Sequence, residues 1–387
     1  MALPVSYNVR NLRVRWRMNL LAIGGIALVV AVFVVLHAVS AGFRLALRAT
    51  GRPDNAIVVQ KGATSELTSG FTREDAERIL VDSRVARGSD GVPLASPEIV
   101  VIANLVRVVD GSLTNVLLRG VTTRAFDVRG GIRLIGGRQF KPGLYELVAG
   151  DKAQARYGLG LGKTVKIQKH DWTVVGVFSS EGSGFESELW ADLDVMAGEF
   201  HREGGYQSLV LRLKEATSLP SLMKDIADNP GVQLEAKEER RFYEEEAGPT
   251  AKAIMGLAIF VALIMGVGAV FGAMNTMYAV VASRTREIGT LRALGFSRRA
   301  ILLAFVTESA FLAFIGGCVG CVLALPADGL ATATGGPNFS ELAFAFRITA
   351  GAVASGIIFA VVMGICGGLL PSMRAARLPI INALREA

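Results

Sequence analysis

The sequence predicts an α-helical membrane protein with four transmembrane helices plus a mixed α+β extracytoplasmic domain inserted between helices 1 and 2. Three observations predict it. Of the 387 residues, 51% are hydrophobic and only 19% are charged, with a mean hydropathy of +0.43, which is too apolar for an ordinary soluble chain. Four stretches, 18–43, 253–283, 300–327 and 348–373, are almost free of charge, and about 20 apolar residues suffice to cross a bilayer core as a helix. Between the first two lie about 200 residues (44–252) of ordinary globular composition, enough for one or two domains.

Residues 1–17 hold Arg10, Arg13, Arg15 and Arg17 and no acid, with Val9, Leu12 and Trp16 on one helical face. This predicts a cytoplasmic interfacial helix with Trp16 at headgroup depth. The uncharged run that follows is longer than the roughly 7–15 residues of a signal-peptide core, so it reads as an uncleaved first span.

In the inserted domain, 55–60 reads as a strand, and Thr72 with Asp75 opens a helix through Leu80. Residues 99–109 and 114–119 form a hairpin around Asp110-Gly111, and 164–168 with 172–178 form a second strand pair. A strand at 208–213, a helix at 219–228 and a strand at 232–236 complete the domain. The charged run 238–246 reads as a stalk. The second span, 253–283, would reach ~46 Å as a helix against a core of ~30 Å, so it tilts or projects outward. Gly268, Gly272 and Thr276 give it a ridge that another helix can approach. Residues 328–347 read as a short outer loop, Pro371 as the end of the fourth span, and 374–387 as a cytoplasmic tail with a short helix starting at Pro379.

Charge sets the topology. Beside the four arginines of 1–17, residues 284–299 carry five arginines against Glu287, and 374–387 carry three against Glu386, while the whole chain is only +7. The remainder is therefore net negative. The positive-inside rule places both termini and 284–299 in the cytoplasm, and 44–252 and 328–347 outside, in a multi-pass membrane protein. The basic balance thus belongs to the membrane edges and not to a nucleic-acid partner.

Little in the chain points to catalysis. Cys318, Cys321 and Cys366 all fall inside apolar runs, where small residues at helix contacts are the expected reading and a metal is not. His170 and His201 are expected to be surface groups, and His37 a packing or interface residue. The run from Gly158 to Thr164 imitates a phosphate-binding loop, but Tyr157 stands where the spacing needs glycine, and strands follow where a helix should. No catalytic residue, metal site or cofactor is assigned. Glu308, the one acid well inside a span, should face protein or water; a hydrogen bond tying the spans to the basic loop is its expected role.

The basic stretch 284–299 reads RTREIGTLRALGFSRR. Ile288, Leu291 and Leu294 recur every three positions, Gly295 would end the helix, and Ser297 would cap the next. This run resembles the segment after the second span in the FtsX-like, MacB-like permease family of ABC transporters, the superfamily of MacB, LolC/LolE and FtsX. VLLRGV at 116–121, GGRQF at 136–140, LVAGDKAQARYGLGLGKTVKI at 147–167, TVVGVF at 173–178 and FESELWADLD at 185–194 follow in order the pattern of the family's MacB-like periplasmic domain. Glu308 followed by Gly316-Gly317 is similar to the family's third span. The tail resembles the family's ending, although Ile380-Ile381 replaces a position that is often polar.

The resemblance implies a permease subunit of the MacB/LolCE type, without catalysis of its own, that works in export or in lipoprotein or lipid release. Its coupling helix, carried by Arg284, Arg286, Glu287, Ile288, Gly289, Leu291, Arg292, Ala293 and Gly295, would touch a separate ATP-binding subunit that holds ATP and Mg. It further implies a second permease, copy or paralogue, leaves room for a periplasmic adaptor, and sets the chain in membrane lipid. The alternative within the same superfamily is an FtsX-type regulator of periplasmic cell-wall hydrolases, whose outer domain is usually smaller than the ~200 residues found here.

Overall fold

A computed structural model describes residues 16–246, 248–334 and 342–379. Residues 1–15 of the predicted interfacial helix over 1–17, and the tail helix beyond Pro379, lie outside the described residues. The chain divides into two compact units: the long helices (1–41, 252–330, 346–387) and the inserted domain (42–251, 331–345).

Among the described residues, four helices are long and apolar enough to cross a membrane: Leu20–Arg48, Gly248–Ser283, Arg298–Ala327 and Ala350–Arg377. Their starts follow local chemistry. Ser297 accepts from the Ala300 amide and Thr349 from the Ala352 amide, each supplying an acceptor that a helix N-terminus lacks. The fourth helix corrects one expectation. It continues through Pro371 to Arg377. Proline removes one amide donor to the residue four back, and that residue is Gly367, on a helix face crowded by its neighbours. Packing across the helix outweighs the lost hydrogen bond.

Glycine decides how closely the spans approach. A Cβ on Gly364 would stand 2.9 Å from the Ser309 carbonyl oxygen and also overlap Ala313, one on Gly317 2.8 Å from Ala360, and one on Gly356 2.8 Å from Val34. Ser309 is buried there and its hydroxyl donates to the Gly364 carbonyl at 2.5 Å. Gly268 and Gly272 of the second span, expected to be contact positions, meet nothing within 4 Å. Gly364→Val is therefore expected to lower the detergent-solubilised melting temperature by the equivalent of about 1–3 kcal/mol, whereas Gly268→Ala should leave it unchanged.

The inserted domain is built on a ten-stranded mixed sheet. Its strands are β1 (Asn55–Gln60), β3 (Ala95–Val106), β4 (Leu113–Val121), β5 (Arg133–Gly137), β6 (Glu146–Gly150), β7 (Thr164–Ile167), β8 (His170–Ser179), β9 (Glu188–Asp192), β11 (Ser208–Arg212) and β12 (Leu234–Glu238), while β2 (Phe71–Thr72) pairs with β10 (Gly205–Tyr206). The order is β12-β1-β11-β3-β4-β9-β6-β8-β5, with β7 paired to β8. The pairs β4–β9 and β6–β8 are parallel.

Alternation gives the sheet two apolar faces. Leu147, Ala149, Leu189 and Ala191 enter one core with Trp172, while Val148 and Trp190 enter the opposite one with Phe178 and Phe242. Because β6 and β9 are buried on both faces, they read as short unbroken apolar runs and have no period of two to betray them. They were not expected from sequence, nor were the helices Ala125–Arg129, Asp151–Tyr157 and Leu193–Glu199.

Several local readings have clear counterparts. Thr72 accepts from the Asp75 amide at 3.2 Å and starts helix Arg73–Leu80. Gly158, in the left-handed region (φ 64°), closes helix Asp151–Tyr157, and strand β7 follows, so the glycine-rich run is a helix stop and not a phosphate cradle. The strand expected at 232–236 is displaced to β12 (Leu234–Glu238). Residues 328–347 are more than a loop: β13 (Ala331–Thr334) pairs with β14 (Leu342–Ala345), and the Ala343 amide donates to the Ser187 hydroxyl at 2.9 Å.

Candidate functional site

The basic stretch after the second span forms the helix Thr285–Ala293, and Gly295 follows at φ 93°, where an L side chain is strained. Its first half is anchored to the spans. Ile288 is buried in a cluster with Met277, Val280 and Val281 of the second span, Ile301 and Phe305 of the third, and Ala375 and Ala376 of the fourth. Gly289 is buried beside it.

Arg284 is the polar counterpart of that anchor. It stands just before the helix, only 2% exposed, and donates from Nη1 to Glu308 Oε2 at 2.8 Å and from Nε to Glu287 Oε2 at 3.2 Å. Its guanidinium also lies 5.0 Å from the Phe305 ring centroid. The two groups most expensive to desolvate in the helical unit therefore neutralise each other, one at the helix entrance and one on the third span. A charge buried this far is tolerable only when paired and hydrogen-bonded.

The remaining predicted residues divide by exposure. Leu291 and Arg292 are half-buried, and Arg286, Glu287, Ala293 and Gly295 are exposed. Leu294, expected on the same apolar stripe as Ile288 and Leu291, is 72% exposed. It projects from the surface together with exposed Arg286, Arg298 and Arg299. The structure thus brings Arg284, Glu287 and Glu308 together, buries Ile288 and Gly289 against the spans, and leaves an apolar and basic rim facing outward.

A second polar cluster, in the inserted domain, was missed by sequence reading. Arg119 on β4 and Arg129 at the end of helix Ala125–Arg129 are both fully buried. Arg119 donates to Glu66 at 2.8 Å, Glu98 at 2.7 Å and Glu188 at 2.7 Å. Arg129 donates to Glu98 at 2.6 Å and to Glu239 at 2.5 Å. Glu239 belongs to the stalk helix Glu239–Glu246, as does Tyr243, whose hydroxyl donates to Glu66 at 3.2 Å. The Phe185 ring lies under both guanidinium groups, 4.4 Å from that of Arg129.

Four buried carboxylates thus surround two cations. Burial opposes ionisation of Glu66, but Arg119 and then Arg129 and Ser208 outweigh it and hold Glu66 down at about 2. Burial raises Glu239, with Arg129 and Asn55 only partly opposing it. The proton surplus therefore falls on the stalk side of the cluster. One sequence signal marked this site: a lone charge inside an apolar strand, as Arg119 is in Val116–Val121.

The other candidates resolve simply. His170 Nδ1 lies 2.6 Å from Glu199 on the surface and the ring stacks on Tyr145. Among the described residues, no group of three or more His, Cys, Asp or Glu is placed to hold a metal.

Comparison with known proteins converges on one family. Residues 19–229 match the MacB-like periplasmic core domain, and residues 259–380 match the FtsX-like permease C-terminal region. The macrolide export ATP-binding/permease protein MacB of Neisseria gonorrhoeae is 27% identical over 288 residues, covering 70% of this chain and 43% of that protein. The ABC transporter permease YknZ of Bacillus subtilis is 30% identical over 236 residues, covering 58% and 57%. The permease MJ1507 of Methanocaldococcus jannaschii is 26% identical over 230 residues, covering 58% and 57%. The matched part of the chain thus spans about half the length of these relatives. With one match running from the first span through most of the inserted domain and the other from within the second span past the fourth, the chain belongs to the MacB/FtsX-like family of ABC transporter permeases.

Proposed function

We propose that this permease works in the MacB/LolCE manner, converting ATP hydrolysis by a separate subunit into movement of its inserted domain for export or for lipoprotein or lipid release. The observation that carries the reading is the division of the helix Thr285–Ala293 and the residue after it between an anchored face and an exposed one. Ile288 and the Arg284–Glu308 pair bind it to three spans, while Arg286 and Leu294 are exposed. A push on the exposed rim is transmitted to the spans because a close-packed apolar cluster and a buried ion pair are stiff.

In this reading the ATP-binding subunit, carrying ATP and Mg, docks on residues 284–295 in the cytoplasm, where both termini also lie. Movement passes along the second span and the stalk helix, which are consecutive in the chain, to the inserted domain outside. A second permease, copy or paralogue, completes the assembly, and the open ridge at Gly268 and Gly272 leaves it room. The intramembrane polar group that stands out in the spans, Glu308, is occupied by Arg284, which favours handling of cargo outside the membrane over a hydrophilic path between the helices.

The test is a pull-down from detergent-solubilised membranes, comparing the native chain with the double variant Glu287→Lys/Arg292→Glu. The native chain should recover an ATP-binding protein and stimulate its ATPase. The double variant should recover less than about a tenth as much, the loss expected when roughly 1.4 kcal/mol or more of binding is removed. Equal recovery and equal ATPase would show that 284–299 only sets topology. Recovery of a cell-wall hydrolase or its activator in place of export components would move the reading to the regulatory branch.

A further inference from the structure

A cavity of about 890 Å³ opens on the inserted domain, within the roughly 300–1,000 Å³ of sites that hold drug-sized ligands. Its walls include Leu67, Ile102 of β3, Gln168, Phe200 and Arg202, and Glu246 at the end of the stalk helix. Gln168 is held at φ 54°, as is His201 between Phe200 and Arg202. Non-glycine residues persist in that region only where surrounding structure over-determines them, and such positions concentrate at ligand sites.

Glu246 is the group that defines the chemistry. It is partly buried, and no hydrogen bond or ion pair reaches it among the described residues. The charges around it are accounted for. Arg119 is shared among Glu66, Glu98 and Glu188. Tyr243, one helical turn back, donates to Glu66, and neighbouring Glu245 pairs with Arg241 at 3.0 Å and Lys237 at 3.6 Å. Arg202 is solvent-exposed. The cavity therefore has an apolar patch of Leu67, Ile102 and Phe200 among polar walls, one acid without a hydrogen-bonded counter-ion, and behind that acid a cluster with more carboxylates than guanidinium groups.

We propose that this cavity binds a monovalent organic cation, its charge against Glu246 and its apolar body against Leu67, Ile102 and Phe200. The inference deepens the export reading by naming a ligand class. It is tested without nucleotide or partner subunit, so the two fail separately.

Binding is linked to protons. Burial, then the charges of Glu66 and Glu188, raise the Glu246 carboxyl to about 8, against the weaker opposition of Arg119. Below that pH the group is protonated and neutral, and above it the carboxylate forms. Cation affinity therefore rises as pH climbs through about 8. In the empty protein the same shift has the opposite sign for stability: the contribution is fully present below 4.5, the ordinary value, and is lost as pH rises through about 8.

The full chain in lipid nanodiscs is titrated with ethidium, a permanent aromatic cation, by fluorescence polarisation against empty discs, with anionic fluorescein as the control. The expected affinity for ethidium rises about twentyfold between about pH 6.5 and about pH 8.5, and fluorescein does not bind above empty discs. Glu246→Gln, which keeps shape and mimics the neutral acid, should lose most of the affinity at the higher pH and flatten the profile. Ile102→Trp, which fills the cavity, should abolish binding. The proposal is overturned if the native chain binds no ethidium above empty discs, if both dyes bind alike, or if Glu246→Gln keeps the pH-dependent rise. Should Glu246→Gln fail to fold, the native pH profile and Ile102→Trp decide alone.

Discussion

Replacing Arg284 with Ala is expected to cost the permease about 3–5 kcal/mol of stability, because buried Glu308 loses the guanidinium that neutralises it beside Phe305. The measurement is the melting temperature of the detergent-solubilised chain. Glu308→Gln should cost less, since the neutral amide oxygen still accepts from Arg284 and Glu287 remains beside the guanidinium. Arg286→Ala, on the exposed rim, should stay within about 0.5 kcal/mol of native. The informative variant is Arg284→Met with Glu308→Leu. Replacing a buried ion pair by apolar groups of similar volume is often neutral or stabilising, so the double variant should melt near the native temperature. Its ATPase stimulation by the partner should nevertheless stay low if the pair transmits the push. A double variant that recovers both stability and stimulation would reduce the pair to a structural tie.

The second large effect lies in the inserted domain. Arg129→Met leaves Glu98 and Glu239 both fully buried with one cation fewer, and about 3–5 kcal/mol should be lost at neutral pH. The loss should depend on pH with a defined sign. Without Arg129 the burial that already raises the Glu239 carboxyl loses its main opposition, so the folded variant takes up a proton there that the unfolded chain binds only near 4.5. Its stability should therefore be higher in a mildly acidic buffer than at neutral pH, the reverse of a domain held by ionised salt bridges. Adding Glu239→Gln removes one of the stranded charges and should restore part of the loss at neutral pH. Limited proteolysis of the stalk junction at the two pH values reads both effects. Equal protease resistance of Arg129→Met and native chain at neutral pH would show that the stalk helix is held by Phe242 and its apolar contacts instead.

What the sequence determined by itself is what depends on long runs or on local chemistry. Four spans follow from uncharged length, because the bilayer penalises every buried charge. The helix Thr285–Ala293 and its stop follow from glycine, from Ser297 as a cap and from the spacing of Ile288. The hairpin around Asp110-Gly111 and the Thr72 cap are equally local. The tertiary structure decided the rest, where the partner is distant in the chain. Glu308 is expected to bond the basic loop, but that its partner is Arg284, 24 residues away, and that Glu239 meets Arg129 across 110 residues, cannot be read from spacing. Leu294 matched the apolar stripe by period, yet the helix is too short for a third turn to reach the spans. Pro371 is a helix breaker in isolation, but here packing against neighbouring spans outweighs one missing hydrogen bond. Strands β6 and β9 are apolar on both faces, so only the layers above and below the sheet distinguish them from short buried helices.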